Sequence, residues 1–234
     1  MADPRLKQPE RRSLGDQIYE LLRDDIVYIR LEPGAMIYEN EIAERLGVSR
    51  TPVREAFRLL ANEQLIVIEP QRGTRIAPIS ANKVTEAWFV RERLEVGAFR
   101  LVAGKWNETV AAQYDKPLGS LLEEQAAAAQ DRDALRLLKL DEDMHRLVIE
   151  ITGNQTLLQV VMQMRAHLNR VRYLALTISG VEGLERIVSE HRSILEAIRR
   201  RDVARTEQLL EAHLSKLNGE LPELKAQFRE YFAD

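Results

Sequence analysis

The stretch from Asn40 to Thr74, NEIAERLGVSRTPVREAFRLLANEQLIVIEPQRGT, does most to limit what this chain can become. Over Glu41–Leu46 the apolar residues are Ile42 and Leu46, with Ala43 beside them, which is one helical stripe with Asn40 as its N-cap. Gly47 ends that helix at little cost, because glycine tolerates a left-handed backbone. Ser49 or Thr51 can cap the next helix, and Pro52 falls in its first turn, where a missing N–H costs nothing. This second helix buries Val53, Ala56, Phe57 and Leu60 and turns Thr51, Arg54, Glu55 and Arg58 outward. Leu65–Glu69 and Thr74–Ile79 read as strands joined by Pro70-Gln71-Arg72-Gly73, with Arg72 at the tip. Helix, tight turn, arginine-bearing helix and basic hairpin together make a winged helix-turn-helix, whose second helix enters a major groove. The expected partner is double-stranded DNA.

A net charge of −3 over 234 residues looks wrong for such a partner. The distribution answers it, since an electrostatic footprint is a patch and not a total. Between Arg45 and Arg75 six arginines (45, 50, 54, 58, 72 and 75) face three acids (55, 63 and 69), a local excess of +3. So modest a patch predicts weak non-specific binding and a need for the doubled contacts of a homodimer on a palindromic operator. The chain has no cysteine, which excludes disulfides and thiolate chemistry and fits a reducing cytoplasm. It has no apolar run near the ~18 residues of a membrane helix, and MADPRLKQPERR lacks the apolar core of a signal peptide. A cytoplasmic protein with no membrane partner is expected. Residues 1–12, with Lys7, Arg11 and Arg12, are expected to form a disordered arm.

Ser13–Arg30 carries Leu14, Ile18, Leu21, Leu22, Ile26 and Val27 at helical spacing and should back the helix-turn-helix, before Leu31-Glu32-Pro33-Gly34 breaks it. From residue 81 only helical periodicity remains, in segments near 81–104, 110–130, 132–152, 154–178, 183–200, 202–217 and 221–232. The fold class is therefore mainly α: a winged helix-turn-helix over 1–80, then an all-α bundle over 81–234.

All four histidines fall in the bundle. His191 aligns with Ile194, Leu195 and Ile198, and His213 lies between Leu210 and Leu214, so both point with the apolar stripe. Asp141 and His145 are four apart on one helix face, flanked by Leu138 and Val148. A single inward histidine is usually a satisfied core residue. Three of them with a carboxylate, on three helices, differ, because a buried carboxylate is costly and a divalent cation shared with imidazoles removes that cost. Four nitrogen and oxygen ligands suit zinc first, with nickel or manganese also open. His167 sits at the margin of its helix's stripe, and Asn154 after Gly153 reads as a helix cap.

LGVSRTPVREAF followed by LIVIEPQRGT closely resembles the operator-binding domain of the GntR family of bacterial transcription regulators. The resemblance implies DNA contacts from Arg50, Thr51 and Arg54, and a wing brought close to the backbone by Gly73. Some relatives carry another arginine where this chain has Asn40, so that contact is not carried over. VRERLEVGAFRLVA, LDEDMHRLVIEITGN and EHRSILEAIRRRD are similar to the all-helical effector domain of the family's FadR-type branch. Metal-binding members of that branch have Asp-x-x-x-His followed by two histidines, matching Asp141, His145, His191 and His213. Members also use this pocket for small organic acids, with an arginine matching Arg91 near the effector. The alternative role for Arg91 is an ion pair with Glu95 on its own helix.

The leading function is a homodimeric, ligand-responsive transcription regulator, a repressor in its simplest form, that binds a divalent transition metal and a small organic acid. One rival is a metal sensor without an organic effector. Another is a helical metalloenzyme with Glu142 or Asp143 as base, but both fall off the Asp141/His145 face and would leave the winged helix without a role. No catalytic residues are therefore assigned.

Overall fold

The computed structural model describes residues 13–233, so the expected arm at 1–12 lies outside the described residues. Two compact units are present. The first comprises the chain up to Ala81 together with the segment from Gln227 onward, and the second spans Asn82–Ala226.

In the first unit α1 (Leu14–Val27) starts on a capping box: the Ser13 hydroxyl accepts from the Asp16 N–H, and the Asp16 carboxylate accepts from the Ser13 N–H. Ile18, Leu22 and Ile26 are fully buried, and this face of α1 packs on α3 (Arg50–Asn62). α1 stops short of the expected Arg30, because Ile29 adopts a left-handed backbone. Between them α2 (Glu39–Leu46) ends at Gly47, whose φ of 67° confirms the left-handed cap. Its N-cap is Tyr38, not the expected Asn40, which is inside the helix and exposed. Ser49 caps α3 by position, without a side-chain hydrogen bond. The hairpin β2 (Ile66–Glu69) and β3 (Gly73–Ile76) is antiparallel, so the second strand ends three residues before the expected Ile79. A strand the sequence did not reveal, β1 (Met36–Ile37), pairs with β3 and gives the sheet order β1-β3-β2.

The second unit is helical throughout: α4 (Ala81–Lys105), α5 (Glu108–Gln130), α6 (Ala134–Ile151), α7 (Gln155–Ile178), α8 (Val181–Arg199) and α9 (Val203–Gln227). Asn107, Asp133 and Asn154 cap α5, α6 and α7 through their side chains, as expected of Asn154. In one core cluster Phe99 and Val102 of α4 meet Met144 and Val148 of α6, Ile194 and Ile198 of α8 and Leu210 of α9. Where a break was expected near residues 218–220, α9 runs on through Gly219 and Pro222. Proline removes one ladder bond, while burial of Leu221 and Leu224 on either side holds the helix.

The chain end departs from expectation in a second way. Residues 227–233 group with the first unit instead of extending the bundle. Beyond α9 a single 3-10 turn, Arg229–Tyr231, leads to Phe232, which forms a parallel bridge to Ile79. The Ile79 N–H donates to the Tyr231 carbonyl at 2.8 Å, and the Ala233 N–H donates to the Ile79 carbonyl at 3.0 Å. Tyr231 also hydrogen-bonds Glu32. At about 0.5–1.5 kcal/mol for each bond, truncation after Gln227 should cost the first unit on the order of 2 kcal/mol. Hydrogen exchange of the β3 amides should accelerate accordingly, with the α6 amides unchanged. Equal acceleration in both units would contradict a local clamp.

Candidate metal centre and nucleic-acid interface

The periodicity of α6, α8 and α9 brings Asp141, His145, His191 and His213 together, each offering a ligand atom within 4.8 Å of the others. Asp141, His145 and His191 are at most 1% exposed, and the His213 side chain is 8% exposed. His167 of α7 is half-buried and outside this group.

Each imidazole is oriented from behind. His145 Nδ1 lies 2.5 Å from Glu95 Oε2, His191 Nδ1 lies 2.6 Å from Gln125 Oε1, and His213 Nδ1 lies 2.9 Å from Glu190 Oε2. Carboxylates only accept, and Gln125 has its amide nitrogen committed to the Leu140 carbonyl at 3.1 Å, so its oxygen faces His191. All three Nδ1 atoms therefore donate, which turns the three Nε2 atoms inward. This is how metal-ligating histidines are usually held. The Nε2 atoms of His191 and His213 stand 3.3 Å apart, close to the roughly 3.3 Å that two nitrogens bonded to one tetrahedral zinc would have. His145 Nε2 and both carboxylate oxygens of Asp141 are buried without a hydrogen-bond partner. Asp141 Oδ2 is 2.5 Å from Arg172 Nη2, an ion pair outside hydrogen-bond geometry, while Oδ1 is 3.3 Å from His191 Nε2.

Charge states fit the same use. Burial pushes His145 down and His213 down to about 3, which keeps both rings neutral and able to bind a cation. Burial opposes ionisation of Asp141, but the Arg172 guanidinium beside it outweighs that cost and holds the carboxyl well below its usual range. Glu190 behaves likewise: burial raises it, yet bonds from His213 and Lys216 bring it to about 2. Facing ring nitrogens and a buried carboxylate that accepts no hydrogen bond are costly to keep together, and a cation between them would remove that cost. The cluster could hold a divalent metal ion.

Arg91 does what its spacing allowed. Its Nε donates to Glu95 Oε1 at 2.8 Å, and the pair is buried. It also lines a cleft with Asp141, Arg172, Arg186, His213 and Lys216, whose other wall is apolar, including Leu137, Leu176 and Leu217. Nothing in the sequence marks Arg172, Glu95, Gln125 and Glu190 as parts of a site. They come from α4, α5, α7 and α8, at separations with no periodic signature. The bases considered for an enzyme point elsewhere: Glu142 engages Arg165 and Asn169, and Asp143 pairs with Arg146.

In the first unit Thr51, Arg54 and Arg58 are exposed on α3 with Arg50 at its start, and Arg72 is exposed in the β2–β3 turn. Gly73 has φ 124°, and a Cβ there would come within 2.7 Å of Tyr38 Cε1 and 2.9 Å of Met36 Cε. The visible reason for glycine is thus the seating of the Tyr38 ring against the wing. Within the arginine patch, Arg75 pairs with Glu69 at 2.8 Å, and Arg50 and Arg54 both reach Glu39.

Residues 14–76 match the family described as bacterial regulatory proteins, gntR family, and residues 86–216 match the FCD domain. The chain is 30% identical, over 94% of each sequence, to the HTH-type transcriptional repressor RspR of Escherichia coli K12. It is 27% identical to the gluconate operon transcriptional repressor of Bacillus subtilis, over 92% of this chain and 87% of that protein. Its fold is similar to that of E. coli McbR/YncC, with a TM-score of 0.79 at 20% identity over 91% and 98% of the two chains.

Proposed function

Because this chain belongs to the GntR family of bacterial transcription regulators, whose members bind DNA and are not enzymes, we propose that it is a homodimeric repressor governed by its helical unit. In this reading it is of the FadR type. Asp141, His145, His191 and His213 hold a divalent transition metal, zinc first, and a small organic acid binds beside it. Among the described residues no helix is long and apolar enough to cross a membrane.

The observation that carries the reading is the convergence of the four ligand atoms next to a cleft edged by Arg91 and Arg172. A metal there supplies a Lewis-acidic point of attachment for a carboxylate. The chain's own residues do the rest. Glu95, Gln125 and Glu190 fix the imidazoles, and Arg172 engages one oxygen of Asp141. In the cleft lining Arg91, Arg172, Arg186 and Lys216 stand against Asp141, Glu190 and Glu220, a small positive excess that favours an anion. Such an anion would act only through unequal affinity for the DNA-competent and incompetent states. Repression fits the named activity of the relatives, and a two-fold dimer would double the contacts of a modest basic patch on a short palindrome.

Calorimetry of the metal-loaded and chelated protein against a panel of small carboxylates, followed by gel shifts with the acids that bind, tests the assignment. A carboxylate is expected to bind the loaded form at least tenfold more tightly and to release DNA. Equal binding to both forms would remove the metal from effector recognition, and metal-dependent DNA release with no acid bound would favour a metal sensor.

A further inference from the structure

Glu39 opens α2 and points not into solvent but across to the start of α3. Its Oε2 takes Arg50 Nη2 at 3.3 Å and Arg54 Nη2 at 3.1 Å, and both of its oxygens lie 3.3 Å from Arg54 Nε. The two arginines are otherwise open, with side chains 57% and 65% exposed, whereas Glu39 is 26% exposed. The three line one groove of the first unit with wing residues Ile68, Gln71 and Gly73. The hydrogen bond to Arg54, against a small cost of burial, lowers the Glu39 carboxyl, so it is anionic where it meets them.

A carboxylate in the middle of a DNA-reading surface repels phosphate, and it weakens sequence-independent attraction. Its offsetting use lies in geometry. Arg54 spends its Nε–Nη2 edge on Glu39, which leaves the Nη1 end of the guanidinium to present to a base. A long side chain already held loses less freedom on binding than one that is loose in water. We propose that Glu39 is a positioning residue for operator reading: it aims Arg54, together with Arg50, at base edges and lowers affinity for DNA in general. The inference rests on the reading that these arginines enter the groove.

The competing view is that Glu39 only stabilises the N-terminus of α2 through the helix dipole. A stability change alone would then follow its replacement. The test uses full-length protein and an operator selected by the wild type from a random-sequence duplex library, with scrambled duplex as the reference. Glu39→Gln should tighten scrambled DNA severalfold and loosen the operator, so that the ratio of the two affinities falls about tenfold. In an Arg54→Ala background the same change should leave the ratio nearly unmoved, because Glu39 would have nothing left to aim. If Glu39→Gln alters the melting temperature but not the ratio, or alters the ratio equally without Arg54, the positioning role is overturned. Arg54→Ala binding operator like the wild type would instead overturn the groove reading itself, and this inference with it.

Discussion

Chelating the metal from the wild-type protein should lower its melting temperature by on the order of 10 °C. A ligand that binds only the folded state at a thousandfold excess over its Kd adds about 4 kcal/mol, and a unit of this size moves roughly 2–4 °C per kcal/mol. The shift should be large because the ion would tie α6, α8 and α9 together at their buried faces. His191→Ala and His213→Ala should each abolish most of it, since each removes a lone pair directed at the same space. His167→Ala should retain it. Glu190→Gln keeps a hydrogen-bond acceptor behind His213 but loses the charge, and about a 10–100-fold loss of metal affinity is expected. Differential scanning fluorimetry with and without chelator reads all four variants. A wild type whose melting temperature ignores chelator would leave the cluster as packed core.

Arg54→Ala should cost about 1–3 kcal/mol of operator affinity per half-site if its guanidinium reads a base, and less against unrelated DNA. Arg50→Ala should act in the same direction. Arg72, exposed at the wing tip, should behave differently. Its replacement should weaken all sequences alike and reduce the salt slope by about one, the mark of a phosphate contact. Gel-shift titrations of these variants at several salt concentrations separate the two patterns. Identical affinities for wild type, Arg50→Ala and Arg54→Ala would mean that α3 does not read the groove.

How far these sites could be seen in the sequence depended on whether the relevant residues share an element. The four-residue step from Asp141 to His145 fixes a common face, and the apolar neighbours of His191 and His213 fix theirs, so an inward cluster was legible before any fold. What stands behind the histidines was not. Glu95 and His145 are 50 residues apart, and Gln125 and His191 are 66 apart, so only packing of α4 and α5 against α6 and α8 brings them together. The arginine patch shows the same limit. A charge count begun at Arg45 omits Glu39, which neutralises part of it from the preceding helix. β1 has no signature in the sequence because two residues carry no alternation, and Met36–Ile37 is a strand only by pairing with Arg75 and Thr74. The periodicity of the C-terminal residues predicts helix, whereas the contacts that place them are with Ile79, about two thirds of the chain away.

The central claim is that Asp141, His145, His191 and His213 are metal ligands, and elemental analysis of untagged protein tests it most directly. After incubation with zinc, nickel or manganese and removal of the excess, the wild type should retain one divalent transition metal per chain. His191→Ala and His213→Ala should retain little, and His167→Ala a full equivalent. A wild type that retains none of the three metals would contradict the account.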